Sequence, residues 1–113
     1  MTKLTPCVTI IENKYAIRQE IAKCLLHAGY ETVSGTRQQI ENLVRQGLAP
    51  KPDLVFVNSD LWRDPVVSSN VERNFIGVPI RPYAVQICRN GMMVRHDEIL
   101  NTANSVTQSG DKI

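Results

Sequence analysis

Asp53-Leu54-Val55-Phe56-Val57, bounded by Pro52 and by Asn58-Ser59-Asp60, decides the fold. Its unbroken apolar run, rich in valine, predicts a strand, the most apolar in the chain. Upstream, Cys7-Val8-Thr9-Ile10-Ile11 is a second β-branched run that stops at Glu12-Asn13. Ile17, Ile21, Cys24, Leu25 and Ala28 follow at helical spacing, with Gly29 as the stop. Tyr30-Glu31-Thr32-Val33 is a weaker strand, and Thr36 to Gln46 reads as a helix with Ile40, Leu43 and Val44 as its stripe. Strand, helix, strand, helix, strand implies a parallel sheet built from right-handed crossovers. In such sheets ligands and chemistry collect at the carboxyl ends of the strands, here Glu12-Asn13 and Asn58-Ser59-Asp60.

The downstream half is less regular. Leu61 to Asn70, with Pro65 and Ser68-Ser69, reads as a loop leading into a short helix at most. Phe75-Ile76-Gly77-Val78-Pro79-Ile80 is strand-like, and Pro79 places it at a sheet edge. Val85, Cys88, Met92, Ile99, Ala103 and Val106 fall at steps of 3, 4 or 7 and predict a long amphipathic helix over 84–105, weakened at Gly91. The expectation is one domain over 1–106 and a polar tail over 107–113.

Composition narrows the function classes. The chain has 113 residues, 42% hydrophobic and 21% charged, which suits one soluble globular domain. Thirteen Lys and Arg against eleven Asp and Glu leave +2, too little for a broad nucleic-acid-binding face. No apolar run approaches a membrane span, and the start lacks a secretory signal's apolar core. Cys7, Cys24 and Cys88 form no CxxC pair, which argues against a zinc ribbon or a disulfide framework and for a reduced cytoplasm. His27 and His96 lack partners at metal spacing, and no serine has a nucleophile-elbow frame.

These residues resemble a response-regulator receiver (CheY-like) domain of two-component signalling. Val8 to Arg18 is similar to the family's acidic-pair segment and first helix, Ala28 to Val33 to the entry into its second strand, and Pro52 to Asn58 to the phosphoacceptor segment. Beyond Leu61 the likeness is thin; Arg81-Pro82-Tyr83 is similar to the Lys-Pro-aromatic triplet after the family's last strand. The segment between Asn58 and Arg81 has room for one strand–helix unit where a full receiver has two. The resemblance therefore implies a three-layer, flavodoxin-like parallel sheet abbreviated to about four strands, ordered 2-1-3-4.

The same resemblance assigns the site, and the chain departs from it at each position. Asn58 stands where the phosphoacceptor carboxylate would be, and an amide is a far weaker nucleophile. Glu12-Asn13 replaces the acidic pair, which leaves too few ionised oxygens for Mg²⁺. Arg81 takes the position of the phosphate-gripping Lys, and an ion pair between Glu12 and Arg81 is expected to stand in for the metal. The hydroxyl residue at the end of the fourth strand is not located.

Asp60 reads as a solvated loop acid or a cap, and Trp62 either as a buried plug over the vacated pocket or as an exposed anchor. Cys24 and Cys88 read as packing on apolar helix faces. The expected function is that of an atypical, non-phosphorylatable receiver-like protein, not an enzyme, with no metal or cofactor. It would act through protein–protein contacts at Asp60, Trp62, Pro82, Tyr83, Met92 and Met93, including a homodimer through the C-terminal helix. The alternative is a small anionic-ligand module using the strand-end crevice, with Arg81 and a helix N-terminus supplying the positive field.

Overall fold

The computed structural model describes residues 5–89 and 91–109. At its centre, β3 (Leu54–Asn58) is buried along its whole length. It pairs in parallel with β1 (Cys7–Ile11) on one side and β4 (Ile80–Tyr83) on the other. With β2 (Glu31–Gly35) beyond β1, the four-stranded sheet has the order β2-β1-β3-β4. Successive side chains on a strand point to opposite faces. Val8, Ile10, Leu54 and Phe56 accordingly pack with Ile17, Ile21 and Leu25 of α1 (Tyr15–His27) and Ile99 and Ala103 of α5 (His96–Ser109). Ile11, Val55 and Val57 pack on the other face with Ile40 of α2 (Arg37–Arg45) and Val67 and Val71 of α4 (Pro65–Asn74). Helix, sheet and helix make the three layers that the sequence implies.

Three expectations for the second half need correction. Leu61 to Asn70 is not mainly loop: α3 (Ser59–Trp62) is one short turn, and α4 is a ten-residue helix. Pro65 begins α4 rather than breaking it, because the first helical N–H has no partner to lose. Asp64 caps that end by accepting from the Val66 N–H at 2.9 Å. Asp64→Ala should cost about 1 kcal/mol, read as a shifted urea midpoint at unchanged slope.

The strand placed over 75–80 lies later. Phe75 is the C-cap of α4, Gly77 turns the chain at φ +79°, and β4 begins at Ile80. β4 is an edge strand, as Pro79 suggested. The Val55 N–H donates to the Pro79 carbonyl, so the alternation of the ladder turns the backbone of Ile80 and Pro82 away from β3. Pro82 has no N–H to offer there, and the Ile80 carbonyl already accepts from the guanidinium of Arg81 at 3.1 Å. This edge offers a further strand fewer partners than a full ladder.

The long helix over 84–105 does not form. Gln86–Cys88 (β5) and Gly91–Met93 (β6) make an antiparallel hairpin outside the main sheet, and Gly91 supplies φ +114° at its turn. Val85, Cys88 and Met92 matched helical steps by coincidence, whereas Ile99, Ala103 and Val106 belong to α5 and pack on the core. Cys88 is therefore exposed on the hairpin and not packed on a helix, while Cys24 does pack against the core. α5 carries Asp97 and Glu98 in its first turn, where the helix dipole favours negative charge. It runs through the expected start of the tail at Thr107, and 110–113 lie outside the described residues. No helix among the described residues is long and apolar enough to cross a membrane.

Candidate functional site

The carboxyl ends of β1, β3 and β4 meet around one carboxylate. Glu12 extends β1 by one step, its N–H donating to the Gly35 carbonyl at 3.0 Å. This sends its side chain into the gap above the sheet, where it is 1% exposed. Three donors converge on it. Asn58 Nδ2 donates to Oε1 at 2.9 Å, the Tyr83 hydroxyl donates to the same oxygen at 2.5 Å, and the Lys14 N–H donates to Oε2 at 3.0 Å. The Arg18 guanidinium donates to the Glu12 backbone carbonyl at 2.7 Å and lies over the Tyr15 ring, holding the first turn of α1 against the strand end.

Asn58 is used at both ends of its amide. While Nδ2 faces Glu12, Oδ1 accepts from the Asp60 N–H at 2.8 Å and caps α3. Only a side chain carrying a donor and an acceptor satisfies both neighbours. Tyr83 closes the cluster from β4, its ring edge-on to Phe56 at 6.2 Å. Burial pushes its phenol pKa well above the ordinary value, and the hydrogen bond and charge of Glu12 push it further, against a smaller opposing effect of Arg18. The phenol therefore stays a donor through the neutral range.

The structure gathers Glu12 and Asn58 but not the other expected members. Asn13 turns away and accepts from the Arg37 N–H at 3.0 Å, tying the β1–α1 loop to α2. Arg81 lies on the second residue of β4, exposed and turned back on its own strand, so the expected Glu12–Arg81 pair is absent. Tyr83 has that place instead. The Arg81-Pro82-Tyr83 segment is a strand rather than a turn after one, and Tyr83, expected on an interaction surface, is buried. Its hydroxyl occupies the strand-end position that the sequence left unassigned; the signal was that Tyr83, not Ile80, closes the single crossover unit after Asn58.

Asp60 is exposed beside Arg63 at 3.5 Å. Trp62 is half-buried against the α2–α4 core, neither a plug over Glu12 nor a free anchor. Pro82, Met92 and Met93 are exposed, and Met92 sulfur accepts from Lys14 Nζ at 3.1 Å. His96 pairs with Glu20 at 3.0 Å, joining α5 to α1.

The cation that the receiver likeness implies does not fit these residues. Mg²⁺ demands several oxygens with lone pairs turned inward. Each Glu12 oxygen already accepts from the protein, Asn13 Oδ1 is spent on α2, and Asp60 faces solvent. Of the supports expected for an anion crevice, Arg81 is elsewhere, and Asn13 and Asn58 accept from the Arg37 and Asp60 N–H groups at the starts of α2 and α3.

The sequence matches no family model and no curated protein. The fold is similar to the crystal structure of a response regulator from Thermotoga maritima, with a TM-score of 0.67 at 16% identity, covering 91% of this chain and 98% of that one. The chain has a receiver-like, CheY-type α/β fold.

Proposed function

We propose that this chain is an atypical receiver-type signalling module of the cytoplasm that is not phosphorylated, catalyses nothing and acts through contacts with other proteins. The observation that carries this reading is that both Glu12 oxygens accept from the protein, from Asn58, Tyr83 and the Lys14 N–H. These internal donors tie β1, β3 and β4 together where a receiver would seat a metal and a phosphoryl group. The sheet supports a shortened relationship: it has four strands, and the hairpin departs where the family's last strand would pair with β4.

The contact surface is the hairpin rather than the Arg81–Tyr83 segment. Ile87 is 84% exposed and Met92 and Met93 are 44% exposed, a concentration of apolar surface on a short element. Methionine adapts its shape to a partner at low cost. A second copy docking through α5 belongs to the same proposal, although α5 has 14 residues and already packs on its own core.

Incubation with acetyl phosphate and Mg²⁺ followed by intact-mass measurement tests the reading. The expected result is no phosphoryl adduct; an adduct at Asp60 or any other carboxylate overturns it. Light scattering on the same sample separates a self-partner from a foreign one.

A further inference from the structure

The opposite end of the sheet carries a feature that signalling through Glu12 and the hairpin does not use. Where α2 and α4 both finish, the chain leaves a half-open cleft of about 340 Å³. Its apolar lining includes Phe75 and Pro52, both buried, with Val44 and Val78 beside them. Ile76 lines it while 76% exposed. The two charged residues of the lining, Lys51 and Arg73, are both cations.

Among the described residues, no carboxylate pairs with Lys51 or Arg73. The nearest acid in sequence, Asp53, gives its Oδ2 to the Cys7 N–H at 2.8 Å. Part of the helix-end carbonyls is taken from within, by Gly47 N–H on Val44 and Leu48 N–H on Leu43 for α2, and by Phe75 N–H on Val71 for α4. Two helix C-termini bring at most about half a negative charge each, which two full cations outweigh. The cleft thus joins an apolar floor to a positive rim that no carboxylate pairs among the described residues.

We propose that this cleft binds a small amphiphilic carboxylate, an aryl or alkyl acid with an apolar body of about ten carbons, the size class such a volume takes. The body lies on Phe75, Pro52 and Val44, and the carboxylate pairs with Lys51 and Arg73, the planar fork of Arg73 suiting it. The proposal is independent of the Glu12 site and of whether the chain signals.

The test is a titration with 4-phenylbutyrate against its neutral counterpart 4-phenylbutanol, followed in ¹⁵N–¹H spectra. The acid should saturate with a Kd on the order of 0.1–1 mM and move the amides of Lys51, Asp53, Asn74 and Ile76. The alcohol should bind about tenfold more weakly. The double variant Lys51→Gln/Arg73→Gln, both surface positions, should erase that difference, whereas Ile76→Ser should weaken both ligands. Spectra outside the cleft report that the variants fold. Absence of saturable shifts at the cleft, equal binding of acid and alcohol, or a preference that survives the double variant each overturns the proposal. So does binding of an acidic apolar peptide without binding of the small acid, which would make the cleft a protein-docking site.

Discussion

Asn58→Asp should destabilise the folded chain by about 3 kcal/mol at neutral pH. The native amide places a donor 2.9 Å from Glu12 Oε1 and an acceptor on the Asp60 N–H. A carboxylate there keeps the second contact but sets two buried anions against each other. One proton is then retained by the pair well above the usual carboxylate range of about 4. Because the folded state binds that proton and the unfolded chain does not, the deficit is present in full above the raised value and shrinks as pH falls through it. Urea unfolding at about pH 7.5 and pH 4.5 measures this. Asn58→Ala, which removes donor and cap without adding charge, should lose about 1–2 kcal/mol with little dependence on pH. A loss for Asn58→Asp that is equal at both pH values would show that the side chain at 58 does not face Glu12.

Tyr83 should show the next largest effect, and two substitutions divide it. Tyr83→Ala removes a buried ring packed on Phe56 together with the hydroxyl, and should cost about 4 kcal/mol. Tyr83→Phe keeps the ring and removes only the hydrogen bond to Glu12, worth about 2 kcal/mol because the acceptor is a carboxylate. The phenol's pKa is raised in the folded state by burial first and Glu12 second. Its contribution is therefore complete below the ordinary tyrosine value of about 10 and is lost as pH rises above it. The difference between wild type and Tyr83→Phe should narrow in that alkaline range. Equal stability of the two at pH 7 would place the hydroxyl outside the cluster.

These two residues also show where sequence reading stopped. The first three strands and their order were legible because β-branched runs alternate with helical stripes, and a parallel sheet leaves few other arrangements. α4 was hidden because Pro65 and Ser68-Ser69 read as breakers, although Asp64-Pro65 is also a sound helix start and Val67 and Val71 stand one turn apart. The hairpin was hidden because Val85, Cys88 and Met92 satisfy a helical step that the turn at Gly91 interrupts. For the site, Glu12 and Asn58 were legible from their places at strand ends. Their partner was not, because it depends on where β4 begins. Starting that strand at Phe75 makes Arg81 a residue beyond its end; starting it at Ile80 puts Arg81 inside it and brings Tyr83 to Glu12. A few residues of strand placement changed an ion pair into a phenol–carboxylate hydrogen bond.

The internal donors also bear on how such a module could change state. With Glu12 fixed by groups on two other strand ends and the α1 start, a rearrangement there must break hydrogen bonds to a buried carboxylate, each worth about 1.5–3 kcal/mol. The hairpin, by contrast, touches this end through Lys14 and Met92 on the surface. A partner docking at the hairpin, as proposed, would leave the strand-end cluster in one arrangement.

The central claim, that Glu12 is held by the protein's own donors in place of a cation, is tested most directly by titrating Mg²⁺ into ¹⁵N-labelled protein while following the Asn58 side-chain amide and the backbone amides of Asn13, Lys14 and Ser59. No saturable shift is expected at these positions up to about 10 mM Mg²⁺. Saturable shifts centred on them, with a Kd in the millimolar range or tighter, would contradict it.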